Sequence, residues 1–268
     1  MNVHQMNLYK ESFDKIKNKT KTIELRLNDN KRKNIKKGDI LIFKEPETNQ
    51  TIITFVKEIF KFKSFQELYQ KLDLIECGYN VKELNKANYK DMLKYYNVQL
   101  EKEFGVLGIK VQLLEVKRPQ IQIDSIRNLK DEEITIKLFK VMPPVPSKGY
   151  FPAYKYNIYL NKDNSLVGFI DLRIGYNENV FYGGHIGYGI DKLYRGNGYA
   201  KKASKLLLEV AKKHQMDILF ISADVNNIAS RKTIENLGFE TLGVFSLPPY
   251  NEMYLLGDKK KVIYMKSL

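Results

Sequence analysis

The segment Tyr194-Arg195-Gly196-Asn197-Gly198-Tyr199-Ala200 carries the clearest chemistry in the chain. It lies between an apolar run ending at Ile190 and a stretch with apolar residues at Ala200, Ala203, Leu206, Leu207, Val210 and Ala211, the spacing of one helix face. A glycine-rich turn between a strand and a helix exposes amides the helix does not use, and the helix dipole adds positive charge there. Such a turn suits a pyrophosphate. Arg195 adds a charge-assisted donor at its entrance, and Gly196 and Gly198 let a phosphate approach the backbone. The Gly-x-x-x-x-Gly-Lys-Ser/Thr loop of nucleotide triphosphate sites and the full Gly-x-Gly-x-x-Gly of dinucleotide sites are both missing. In the first half, Lys21, Glu24 and Arg26 place three charges on one short alternating segment, Glu24 and Arg26 on the same face. Buried together, they would pair with one another or with a bound polar ligand.

The elements that must position these residues fall into two groups, in a chain of 268 residues that is 43% hydrophobic and 28% charged, an ordinary core-forming composition. The break comes near Pro119, so the expected domains are 1–117 and 121–268. In the first, helix-like spacing covers Met6–Ile16, strands are expected at Thr22–Leu27, Ile40–Phe43, Thr51–Phe60 and Val106–Val116, and helices at Ser64–Leu72 and Asn88–Glu103. That is a small α+β or β-barrel domain. In the second, a hairpin (Tyr156–Leu160 and Leu166–Ile174) is followed by a strand from Gly184 to Ile190, a helix, a strand from Ile218, a helix stopped by Gly238 and a closing strand. A mixed sheet with helices on both faces accommodates this order.

The single cysteine, Cys77, has no disulfide partner, and His4, His185 and His214 have no zinc-binding spacing, so no metal is expected. No apolar run reaches a bilayer-spanning length and the start does not read as a leader, so no membrane is expected and the cytoplasm is the default location. The net charge of +14 divides evenly about Lys117, but Lys15–Lys37 holds ten basic residues against Glu24 and Asp29, a local +8 able to attract phosphates. A solvated face is the alternative for such a run.

In the second half, Arg195-x-x-Gly198-x-Ala200, followed by Asn227-x-x-Ser230 and then Leu237-Gly238-Phe239, resembles the GNAT superfamily of N-acetyltransferases over most of residues 165–268. The resemblance implies an acetyl-CoA-dependent enzyme with a mixed sheet flanked by helices. Arg195, Gly196, Asn197, Gly198, Tyr199 and Ala200 would hold the pyrophosphate. The strand ending at Ile190 would pair with the pantetheine arm, and Asn227 and Ser230 would contact the cofactor, Asn227 being equally suited to cap a helix. The Tyr that many relatives use to protonate the leaving thiolate is here Ile234. Direct attack of an amine on the thioester needs a base, for which His185 is the first candidate, with Asp171 and Tyr264 as further ones.

The first half, over residues 5–116, resembles the ASCH domain, a small β-barrel similar to the PUA domain. Lys21-x-x-Glu24-x-Arg26, the later Gly38-Asp39 and Gly105–Ile109 carry the match, while Lys19 replaces a motif glycine. PUA relatives bind RNA, and some ASCH proteins resemble amidohydrolases acting on N4-acetylcytidine with Lys, Thr and Glu, but Glu24 stands where that Thr would be. Lys21, Glu24 and Arg26 are therefore expected to contact RNA, a nucleoside or the acceptor. Two functions follow: an N-acetyltransferase acting on an amine-bearing acceptor, or a non-catalytic RNA-binding protein whose second half senses acetyl-CoA. The sequence does not specify the acceptor or the oligomeric state.

Overall fold

Branched and aromatic residues crowd the segments that become strands, and in a computed structural model describing residues 1–268 they build two units, Met1–Leu114 and Glu115–Leu268. The first runs β1 (Val3–Asn7), α1 (Lys10–Lys17), β2 (Ile23–Leu27), β3 (Ile40–Lys44), β4 (Thr51–Phe62), α2 (Phe65–Lys71), α3 (Val98–Phe104) and β5 (Val106–Leu113). Its sheet has the order β1-β3-β4-β5-β2, with β1 parallel to β3 and the other neighbours antiparallel. Leu41 and Phe43 of β3, Val56 of β4 and Ile109 of β5 close over Phe13 and Ile16 of α1. The sheet curls into a half-barrel with β1 and β2 as its edges. Arg26 of β2 spans them, its Nη2 donating to Asn7 O of β1 at 2.8 Å.

Two expected helices are divided. The spacing over Met6–Ile16 is overridden at its start, because residues through Asn7 pair with β3, and α1 begins only at Lys10. Asn88–Glu103 is interrupted because Asn88 and Asn97 each turn a side-chain oxygen onto following amides, starting a 3-10 turn at Tyr89 and α3 at Val98. Lys19 has φ of 62°, so the left-handed turn that glycine would make is retained by a lysine.

The second unit runs β6 (Asn128–Lys130), β7 (Ile134–Met142), β8 (Ala153–Leu160), β9 (Leu166–Arg173), α4 (Glu178–Gly183), β10 (Ile186–Ile190), α5 (Tyr199–Lys213), β11 (Ile218–Asp224), α6 (Ile228–Glu235), β12 (Glu240–Ser246), α7 (Glu252–Leu255) and β13 (Lys260–Ser267). The strands form two antiparallel sheets, β10-β9-β8-β7-β6 and β11-β13-β12. Ala203, Leu207 and Val210 of α5 are fully buried, and the helix packs on β7, β9 and β10. Phe220 and Ile221 of β11 point to opposite faces. Phe181 of α4 packs edge-on against Phe220 at 5.4 Å. Tyr264, the partner of Ile221, is bound to α6, so helices cover both faces of the smaller sheet.

Candidate functional site

The two sheets of the second unit meet where β10 and β11 begin to part, and His185 makes the junction. Its backbone N–H donates to Phe220 O at 2.6 Å, and Phe220 N–H donates to His185 Nδ1 at 2.8 Å. Nδ1 is therefore the unprotonated nitrogen, and Nε2–H donates to Gly175 O at 3.0 Å. The ring is fully buried between Phe220 and Tyr176, and burial pushes its pKa down to about 3. With both nitrogens committed to backbone, His185 has no lone pair for an ammonium proton. The expected base is a structural clamp.

Past the clamp, β10 pairs only with β9 and presents a free edge. It leads through a 3-10 turn at Lys192–Tyr194 into the glycine segment, which brings Ile190, Arg195, Gly196, Asn197, Gly198, Tyr199 and Ala200 together. Gly196 and Gly198 have φ of 85° and 76°, and a Cβ on either would meet nothing within 4 Å. The first bond into α5 runs from Lys202 N–H to Gly198 O, leaving the amides of Tyr199, Ala200 and Lys201 outside the helical ladder. Arg195 Nε donates to Ile190 O at 3.0 Å, fixing the guanidinium at the mouth, and Asn197 Nδ2 donates to Tyr194 O at 3.1 Å. This exposed turn, with its free amides and its arginine, could hold a diphosphate.

Asn227 caps α6, its Oδ1 accepting from Ser230 N–H at 3.0 Å. Tyr188 of β10 reaches the same corner, donating to Ser230 O at 3.4 Å. The second motif thus lies beside the open strand. Tyr264 does not: its buried hydroxyl accepts from Arg231 Nε and donates to Glu235 Oε1, both at 3.2 Å. The hydroxyl fastens α6 to β13, so the catalytic role expected of Tyr264 also gives way to a structural one. Ile234 is buried at 1% exposure, and its aliphatic side chain has no proton to give.

In the first unit, the structure brings Lys21, Glu24 and Arg26 together. Glu24 lies between the two cations, Oε2 at 2.8 Å from Lys21 Nζ and Oε1 at 2.9 Å from Arg26 Nε. Burial alone would raise its pKa, but Lys21 and Arg26 hold it below the usual carboxylate range. Arg26 also donates to Tyr96 OH at 3.3 Å, and Lys21 to Ser12 Oγ at 3.3 Å. These side chains, with Arg32, Tyr69 and Tyr79, line a cavity of about 620 Å³. A second hollow of about 560 Å³ shares Arg26 and Arg32 and adds His4 and Lys31. The tyrosines of this cavity escaped sequence reading because they come from distant segments. Lys31 and Lys33 are exposed, whereas Arg32 is tied to Asp29.

Residues 118–240 match the acetyltransferase (GNAT) domain family, and residues 6–115 match the ASCH domain family. A search of curated proteins returned no match. Among solved structures, a Pyrococcus furiosus protein is 32% identical over 42% of this chain and 98% of its own, with a TM-score of 0.35. A GNAT-family acetyltransferase from Bacillus anthracis is 19% identical over 52% of this chain and 98% of its own, with a TM-score of 0.40.

The clamp has a pH signature. Because His185 titrates near 3 when folded and about 6.5 when unfolded, its contribution to stability is complete above the unfolded value and is lost as pH falls through that window. Unfolding midpoints should drop between about pH 6.5 and 4, less steeply in His185→Gln; identical slopes in the two chains would refute the assignment. In the first unit, Glu24→Gln leaves the buried Lys21 and the half-buried Arg26 unneutralised and should cost about 3 kcal/mol in urea unfolding. Lys31→Gln on the surface should stay within about 0.5 kcal/mol.

Proposed function

Because this chain belongs to the proteins that join an ASCH domain to a GNAT acetyltransferase domain, we propose that it moves an acetyl group from acetyl-CoA to a primary amine. Its first unit binds RNA, a nucleoside or the acceptor. The observation that carries the donor assignment is the Arg195–Ala200 turn, with both glycine Cβ positions open and the first amides of α5 outside the helical ladder. Those amides and Arg195 hold the diphosphate, and Ile190 starts the open edge along which the pantetheine arm lies. An edge amide of β10 faces the thioester oxygen and stabilises the charge that develops there. Tyr188 and the capped start of α6, through Asn227 and Ser230, wall the slot. Acetyl-CoA supplies the activated carbonyl; holding the amine beside it provides much of the acceleration, by removing the entropy of encounter. No helix of the chain is long and apolar enough to cross a membrane.

For the first unit, the excess of cations over carboxylates around the larger hollow (six against four), the carboxylate-free lining of the second, and the exposed Lys31 and Lys33 favour an anionic ligand such as RNA.

Gly198→Val should abolish acetyl-CoA binding in calorimetry, since its side chain would stand in the phosphate's place. Gly198→Ala, which carries left-handed backbone strain with little bulk, should lose much less. Equal affinity in Gly198→Val and wild type would remove the cradle. Binding of single-stranded RNA should weaken steeply with salt, and Lys31→Glu with Lys33→Glu should lower the log–log salt slope by about 2. A slope that these reversals leave unchanged would place RNA elsewhere or nowhere.

A further inference from the structure

With the diphosphate at Arg195–Ala200 and the pantetheine arm following β10 back toward the clamp, the thioester comes to rest near Gly187. That residue lies three positions, about 10 Å, behind Ile190. An amine can reach it from one side only. On the α5 side, Ile170 and Leu172 of β9 are fully buried, and Tyr188 of β10 is engaged with α6. On the opposite face Phe169 is 57% exposed, and Asp171 and Arg173 alternate with it along β9.

Asp171 pairs directly with Gly187. A Cβ at residue 187 would stand 2.9 Å from Asp171 Oδ2, so the carboxylate lies over the strand in space that a side chain would otherwise take. Arg173 holds it there: Nη2 is 3.1 Å from Asp171 Oδ1, and Nη1 donates to Gly184 O at 2.9 Å, next to the clamp. Lys155 of β8 is the cation across the other strand pair, and β10 contributes no charge, its partner residue being glycine.

We propose that Asp171 is the catalytic residue that takes the proton from the acceptor's ammonium, a role that rests on the acetyl-transfer reading above. The ammonium, hydrogen-bonded to the carboxylate, gives it one proton. The neutral nitrogen then attacks the thioester carbonyl carbon, the C–N bond forms and the C–S bond breaks. Coenzyme A leaves as thiolate and takes the second proton from the nitrogen, and Asp171 returns its own proton to water. One N-acetyl amine, one thiol and one solvent proton result. Burial raises the pKa of Asp171 against the opposing pull of Arg173 and Lys155, in the direction that makes it a better acceptor.

The test follows thiol release by the full chain from acetyl-CoA, with glycinamide, which must lose a proton, and with hydroxylamine, which is already neutral. Asp171→Asn should lower kcat for glycinamide by about 100-fold or more at neutral pH. The deficit should shrink as pH rises and be much smaller with hydroxylamine, and acetyl-CoA affinity by calorimetry should be unchanged. Gly187→Ala has no left-handed backbone to strain and displaces the carboxylate without removing it, so it should reproduce the pattern independently. An unchanged kcat in Asp171→Asn, or an equal loss for both nucleophiles at every pH, would overturn the assignment. Wild-type chain that binds acetyl-CoA yet releases thiol to neither amine would count against Asp171 and leave the donor site standing. Wild-type chain that fails to bind acetyl-CoA would remove the donor reading itself, and Asp171's role with it.

Discussion

Two adjacent strands normally continue a ladder until one of them ends. In the second unit β10 and β11 form no ladder, and where they come nearest a side chain takes the backbone's place: Nδ1 of His185 accepts the Phe220 amide. One backbone bond, from His185 N–H to Phe220 O, holds the strands at the same point. Past it β10 is free to diverge, and the divergence exposes the edge of a strand that a continuous sheet would have covered. A neutral imidazole with both nitrogens satisfied meets the hydrogen-bonding demand of the junction without burying a charge. The open edge of β10 thus originates in a residue that precedes the strand.

The first unit solves a different problem with charge. Glu24 is buried, but it is outnumbered: Lys21 and Arg26 leave the cluster with a net positive charge. Arg26 also ties the two edge strands of the half-barrel through Asn7 O, so the group facing the cavity is the one that holds the curl of the sheet. A buried ion pair contributes little net stability by itself. Its effect here is to fix Lys21 and Arg26 at the cavity wall.

What the sequence revealed follows from how local each signal is. The Arg195–Ala200 turn, the stripe of α5 and the alternation of β2 are written in consecutive residues, and each was legible as a local element. The roles of His185 and Tyr264 were not, because what decides them is distant in the chain: Phe220 for the first, Arg231 and Glu235 for the second. A histidine near a glycine-rich strand reads as a base until its two nitrogens are seen to be spent. Met6–Ile16 failed for the same reason, since only pairing with Ile40–Lys44 makes its first residues strand. The β7 strand and α4 went unread beside Pro-rich and Gly-rich stretches whose turns obscured the periodicity.

The Gly187-Tyr188-Gly189 sequence of β10 shows how one strand can serve two faces. Tyr188 turns toward α6, where its hydroxyl reaches Ser230 O and helps hold the helix beside the slot. Gly187 and Gly189 turn the other way and offer no side chain, so the space over them is filled from β9. At Gly189 a Cβ would stand 2.6 Å from Phe169 Cε1, and at Gly187 one would meet the Asp171 carboxylate. Glycine in a strand ordinarily weakens it. Here the weakening is confined to one face of an edge strand, and in exchange an aromatic ring and a carboxylate lie close over its backbone. The alternation that defines a β-strand thus separates structural anchoring from chemistry within three residues.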